Sequence, residues 1–138
     1  MYSFENLKIG KSFTELNKVT EKKITDFSIA SGDKNPIHLN AKYAEKTFFK
    51  ERIAHGMLIA SFISSVIGNK FPGPGTIYIS QNLNFLRPVK INDIVKIEVI
   101  VEKLILKKKW CELKTLCSVK NKIVIEGTAV VIPPKKNK

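Results

Sequence analysis

Disulfide-capable cysteines, arginine and long apolar runs are all scarce in this chain, which holds two Cys, two His and one Trp among 138 residues. Cys111 and Cys117 stand six residues apart in a stretch that reads as one strand, which separates them by roughly 20 Å at about 3.3 Å per residue. A disulfide needs Cα atoms within about 7 Å, so the two cannot pair with each other and are expected as core thiols. Two cysteines and two separated histidines are also a poor metal set, and no metal is expected. The longest apolar stretch, Met57 to Ile67, is interrupted by serines and falls well short of the roughly 20 residues that cross a bilayer. The opening residues Met1 to Lys8 lack the apolar core of a secretory signal. A cytoplasmic protein without a membrane partner is expected.

Acidic residues are also few: 24 Lys and Arg face 12 Asp and Glu, a net charge of +12. Such an excess raises the question of a nucleic-acid partner. Arginine, the favoured residue for planar phosphate and base recognition, appears only at Arg52 and Arg87. The lysines are scattered along the whole chain rather than gathered into a stripe with interleaved aromatics. Charge spread over solvated faces, or attraction of an anionic substrate, fits better than nucleic-acid binding.

What is present is the composition of an ordinary globular protein, 43% hydrophobic and 26% charged. The length suits one domain that buries about two-thirds of its unfolded surface without a covalent staple. Ile9, Phe13, Leu16 and Val19 mark an irregular opening strand within Lys8 to Val19. Thr20 caps a short helix whose buried side is Ile24, Phe27 and Ala30, and Gly32 stops it. Asn35-Pro36 then predicts an extended or turning loop over Asp33 to His38. Asn40 caps a second short helix, with Tyr43, Ala44, Thr47 and Phe48 on one face.

From Gly56 to Gly68 apolar residues point almost every way round a helix, which predicts burial on all sides, with Ala60, Ser61, Ser64 and Ser65 admitting a sheet closely. After the break at Phe71 to Gly75 the period becomes two. Strands are expected over Ile77 to Phe85, Ile94 to Leu106, Cys111 to Val119 and Ile123 to Ile132, with a turn at Lys120 to Lys122 and a fraying basic tail over 133–138. The class is α+β: an antiparallel sheet wrapped around one long helix.

Two local features carry chemistry. Gly32-Asp33-Lys34-Asn35-Pro36-Ile37-His38 places a carboxylate and an imidazole five residues apart in a loop stiffened by proline. Such a pair can hold a water and move its protons; it is equally compatible with a capping Asp and a packed His. His55-Gly56-Met57-Leu58 opens the long helix, where free N–H groups and a partial positive charge suit an oxyanion. A glycine there admits a ligand oxygen to the backbone, and it also serves a tight helix start.

The run Phe27 to His38, followed by Ala44, resembles the motif of the MaoC-like (R)-specific enoyl-CoA hydratases. His55 to Leu58 and Gly73 to Tyr78 are similar to the two segments that follow it in that family. The likeness runs from the first strand to Val131, and Asp-x-Asn-Pro-x-His followed seventeen residues later by His-Gly is its most specific part. Ala30 departs from it slightly, where a larger aliphatic residue or a glycine is expected. The resemblance implies a single hotdog fold over 1–138 and reversible addition of water to a trans-2-enoyl-CoA, giving the (R)-3-hydroxyacyl-CoA. It implies Asp33 and His38 as the acid–base pair, Gly56 N–H as the oxyanion donor, and Ser64 as a residue that assists them. Asn35 and Met57 would contact substrate, and His55 reads as structural. It implies no cofactor beyond the coenzyme A or acyl carrier protein that carries the substrate, and a homodimer or dimer of dimers with sites near the interface. Pocket depth would depend on side chains such as Phe48, Phe62 and Leu83.

Two rivals follow from the same residues. A hotdog thioesterase often places a carboxylate on the central helix, yet Gly56 to Asn69 contains no Asp or Glu. A non-catalytic acyl-thioester-binding protein has no need of both Asp33 and His38.

Overall fold

Thr20 starts the first helix as its residue type predicts: its Oγ1 accepts from the Lys23 amide at 3.2 Å. In the computed structural model, which describes residues 1–136, this helix, α1, spans Glu21–Ser31 and ends at Gly32 with φ 79°. That left-handed geometry costs glycine nothing. The buried side of α1 is narrower than expected. Ile24 and Ser28 are buried and Phe27 half-buried, while Ala30 faces solvent.

The segment after Gly32 is only partly a loop. Pro36–Leu39 form a single helical turn, α2, with Asn35 Oδ1 accepting from the Ile37 amide at 3.2 Å. Proline restricts the residue before it, and Asn35 is indeed non-helical with ψ 126°. Proline itself is well suited to the first helical position, so the restriction stops at Asn35. His38 therefore sits on a helical turn. Asn40 caps the next turn, α3 (Ala41–Glu45), through its Oδ1 and the Tyr43 amide at 3.0 Å. Ala44 is buried, but Tyr43 and Phe48 are exposed, because α3 ends before a second turn can align them.

The long helix α4 spans Gly56–Asn69 and buries Leu58, Ile59, Phe62, Ile63, Val66 and Ile67 among others. It is not buried on all sides. Met57, Ser61, Ser64, Ser65 and Gly68 form one exposed stripe at helical spacing. Except for Ala60, the small residues expected against the sheet thus face outward, because branched aliphatics take the sheet-facing positions.

Five antiparallel strands wrap this helix in the order β1-β3-β4-β5-β2: β1 (Ser12–Lys18), β2 (Ile77–Phe85), β3 (Ile94–Ile105), β4 (Trp110–Val119) and β5 (Lys122–Ile132). Lys120 and Asn121, at φ 50° and 66°, make the β4–β5 turn. Alternation puts Val95, Ile97, Val99 and Val101 of β3, and Cys111, Leu113 and Cys117 of β4, into the core beneath α4. Both cysteines are free and buried, as their spacing requires. The expected fraying tail begins later than Pro133: Pro133 and Pro134 are buried, with Pro134 against Gly75. The end of that tail, 137–138, lies outside the described residues. Among them, no helix is long and apolar enough to cross a membrane.

Candidate active site

Asp33 and His38 are delivered by different means. Asp33 lies just beyond the α1 cap, where its amide donates to Ser31 Oγ at 3.1 Å and its Oδ1 accepts from the Asn35 amide at 3.3 Å. His38 is buried, and its Nδ1 lies 2.8 Å from the Ile53 carbonyl oxygen. A carbonyl only accepts, so Nδ1 carries the hydrogen and Nε2 of the neutral ring is left with a lone pair. An Asp33 carboxylate oxygen and one ring nitrogen each of His38 and His55 lie within 4.8 Å of one another. That span suits a single water hydrogen-bonded to Asp33 and His38 together.

The strip Arg52 to His55 locks this arrangement from below. Arg52 Nε donates to the His38 carbonyl at 2.7 Å, and its two terminal nitrogens grip Glu21 at 3.1 and 2.9 Å. The Ile53 amide donates to the Ile37 carbonyl, and the Ala54 amide to the Val89 carbonyl. One side of α2 is thereby tied to α1, and the strip itself to the loop before β3.

His55 follows at once, 1% exposed. Its ring stacks on His38 at 3.9 Å with 29° between planes, and meets Phe27 at 4.9 Å with the planes tilted by 60°. Burial, aided by the neighbouring His38, holds its pKa below the ordinary 6.5 against the opposing hydrogen bond to the Asp33 carbonyl. Stacked rings point their in-plane lone pairs side by side rather than at one point. His38 Nδ1 and His55 Nε2 are, moreover, already directed at carbonyls. The Asp33, His38 and His55 cluster is thus poorly arranged to enclose a metal ion.

The next residue starts α4. Its N-cap, His55, makes no side-chain cap, and the first amides turned back into the helix are those of Leu58 and Ile59 on the His55 carbonyl. The Gly56 and Met57 N–H groups have no acceptor within the helix. Both residues line a cavity of about 520 Å³ together with Asp33, His38 and Phe85. The absence of a side chain at Gly56 makes room for Phe85, since a Cβ there would lie 2.7 Å from its ring.

The structure brings Asp33, His38, Gly56 and Met57 to one cavity. It does not bring Asn35 or Ser64 to the lining. Asn35 spends its Oδ1 on the α2 cap, and Ser64 sits in the exposed stripe, about 12 Å along the helix from Gly56 at 1.5 Å per residue. Of the pocket-depth candidates, Phe48 is 91% exposed, Phe62 is in the core, and Leu83 is half-buried against that core. Phe49, Ile53 and Phe85 line the cavity instead. Sequence reasoning did not single out Ser28, Arg52, Ile53 or Phe85. Each acts through a partner distant in sequence, and only the scarcity of arginine marks Arg52. Cys111 and Cys117 are excluded as nucleophiles, because burial pushes both thiols up to about 12.

A curved antiparallel sheet around one helix, with a carboxylate–imidazole pair facing the N-terminus of that helix, defines a hotdog-fold protein with an acid–base site. The particular family is equally plain: the MaoC like domain matches residues 6–127, and the chain belongs to that family. It is 46% identical over 136 residues to an (R)-specific enoyl-CoA hydratase of Rhodospirillum rubrum, covering 99% of this chain and 94% of the relative. It is 43% identical to a 3-hydroxybutyryl-CoA dehydratase of Methylorubrum extorquens, over 96% of this chain and 85% of the relative. Among solved structures, the R-hydratase PhaJ1 of Pseudomonas aeruginosa in unliganded form matches with a TM-score of 0.93 and 39% identity. That match covers 97% of this chain and 86% of the other.

Proposed function

We propose that this chain is an (R)-specific enoyl-CoA hydratase. It reversibly adds water across the double bond of a trans-2-enoyl-CoA to give the (R)-3-hydroxyacyl-CoA. The observation that carries this reading is one cavity lined by Asp33, by His38 with its Nδ1 already committed to the Ile53 carbonyl, and by Gly56 and Met57 at the start of α4.

The chemistry follows from those atoms. The thioester carbonyl accepts from Gly56 N–H, where the helix dipole favours negative charge, and electron density is drawn from C3 toward that oxygen. A water held by Asp33 and His38 attacks C3. The pair takes one proton from the water and a proton is delivered to C2, so the water is divided between the two carbons. Asp33 and His38 act as a coupled pair in this scheme. No step passes through Ser64. No redox centre or metal is required, and coenzyme A enters as part of the substrate.

The assembly is proposed as a homodimer in the cytoplasm, where the free thiols stay reduced. β2 is an edge strand whose Ile77, Ile79 and Phe85 are exposed, and Met57 is exposed at the start of α4. An apolar edge of this kind is suited to a second copy. The net charge of +12 favours an anionic carrier, and Arg87 stands in the cavity lining.

The test is loss of the conjugated enoyl-thioester absorbance on mixing with crotonyl-CoA, with the product analysed. Intact 3-hydroxybutyryl-CoA of R configuration is expected. Free thiol release would instead identify a thioesterase, and binding without turnover, across chain lengths and with acyl carrier protein as donor, would identify a sensor.

A further inference from the structure

From Ile29 to Pro36 every residue is exposed. Asp33 therefore has little packing to hold it, and its orientation rests chiefly on hydrogen bonds. Two of these are local, to Ser31 Oγ and from the Asn35 amide, and both move with the loop. Among the described residues the remaining one comes from His55, whose Nε2 lies 3.0 Å from the Asp33 carbonyl oxygen, twenty-two residues away.

That contact fixes the chemistry of His55. The carbonyl can only accept, so Nε2 carries the hydrogen. Ser28 Oγ, 3.0 Å from the same nitrogen, is its second acceptor. Nδ1 is then a bare lone pair, and it is buried without a hydrogen-bond partner among the described residues. With 1% exposure and Nε2 already committed, His55 presents no group to a substrate.

We propose that His55 is the positioning residue of the site. Its Nε2–H anchors the Asp33 backbone to the core, while its ring supports His38 from beneath, so one side chain sets the distance between the two members of the pair. This rests on the hydratase reading for its catalytic consequence, though not for its structural one. The groups facing the His55 ring are His38 on one side, Phe27 on another, Ser28 from α1 and the Asp33 carbonyl. Asp33 brings the one negative charge to this cluster.

The role separates from simple core packing by a matched pair of variants. His55→Phe keeps a ring of similar shape but has no donor. His55→Gln loses the ring yet carries an N–H about as far from the backbone as Nε2. In crotonyl-CoA hydration, His55→Phe is expected to lower kcat about 100-fold, the scale of a misplaced catalytic group, with KM little changed. His55→Gln is expected to recover about tenfold of that loss. Hydrogen exchange at the amides of 33–35, 37 and 38 should quicken in His55→Phe and return toward wild type in His55→Gln. Wild-type kcat in His55→Phe, or no recovery in His55→Gln, would overturn the proposal. Absence of turnover in the wild type would sink the hydratase reading instead, and unchanged exchange in His55→Phe would then sink the positioning role by itself. Nitrogen-15 shifts of wild-type His55 give a further readout that needs no variant. They should report the Nε2–H tautomer, and a protonated Nδ1 would contradict the anchor.

Discussion

Asp33 and His38 stand five residues apart, one before the α2 turn and one on it, and differ in what they cost to remove. Asp33 is exposed and accepts one local amide. Asp33→Asn should leave the melting temperature nearly unchanged while lowering kcat by about 10²–10⁴, the usual scale of an acid–base group. His38 is buried, stacked on His55, and donates to the Ile53 carbonyl. His38→Ala should lose comparable activity and also destabilise by about 1–3 kcal/mol, from the unpaired carbonyl and the emptied space. The sequence alone suggests that a loop pair contributes little to packing; this holds for Asp33 and not for His38. Thermal melts beside the absorbance assay separate the two effects.

His55 carries the pH dependence. Folding depresses its pKa below 6.5, so between that value and the lower folded one the unfolded chain binds the extra proton. Its stabilising contribution is complete above pH 6.5 and is lost as pH falls through the folded value. The wild type should therefore lose more stability than His55→Phe between pH 7 and pH 5, measured as urea midpoints. Parallel midpoint curves for the two proteins would show that His55 does not titrate on unfolding.

At the scale of elements, the α2 turn is too short to hold itself and depends on what clamps it. Arg52 is the clamp, joining Glu21 of α1 to the His38 carbonyl. The ion pair with Glu21 is largely exposed on the carboxylate side, and such pairs are worth about 0–1 kcal/mol. The bond to the main-chain carbonyl has no substitute. Glu21→Gln should accordingly change activity less than twofold or threefold, roughly the effect of a few tenths of a kcal/mol. Arg52→Met should lower kcat at least about tenfold through the freed His38 turn. Steady-state kinetics of the two variants test this, and equal effects would show that the ion pair, not the carbonyl bond, positions α2.

For the whole molecule the unresolved demand is the β2 edge. Ile77 and Ile79 are 56% and 43% exposed on β2, which has no outer neighbour among the described residues. Light scattering should report twice the 15.6 kDa chain mass. Ile79→Lys should shift the population toward monomer, because a charge at an apolar edge opposes strand-to-strand association. A wild-type monomer at working concentration would refute the dimer.

Local chemistry made much of this protein legible in its sequence. Thr20 and Gly32 bound α1, Asn40 caps α3, and alternation in β3 and β4 names the inward residues, because each effect acts within a few residues of its cause; Asn35-Pro36, by contrast, reads as loop where the fold makes the α2 turn. Asp33, His38 and Gly56 stand out locally as well, but their residue types and spacing leave a structural role open, and only the resemblance to the family gives them a part in the chemistry. Tertiary structure alone decided which face of α4 meets solvent, since seven apolar positions and a serine stripe look alike until the sheet chooses a side. It also decided that Phe85 rather than Leu83 reaches the cavity. Above all it placed the Arg52–His55 strip beneath the Asp33–His38 loop. Those contacts join residues fourteen to twenty-two apart, a separation at which spacing carries no directional information and only the folded backbone brings donor to acceptor.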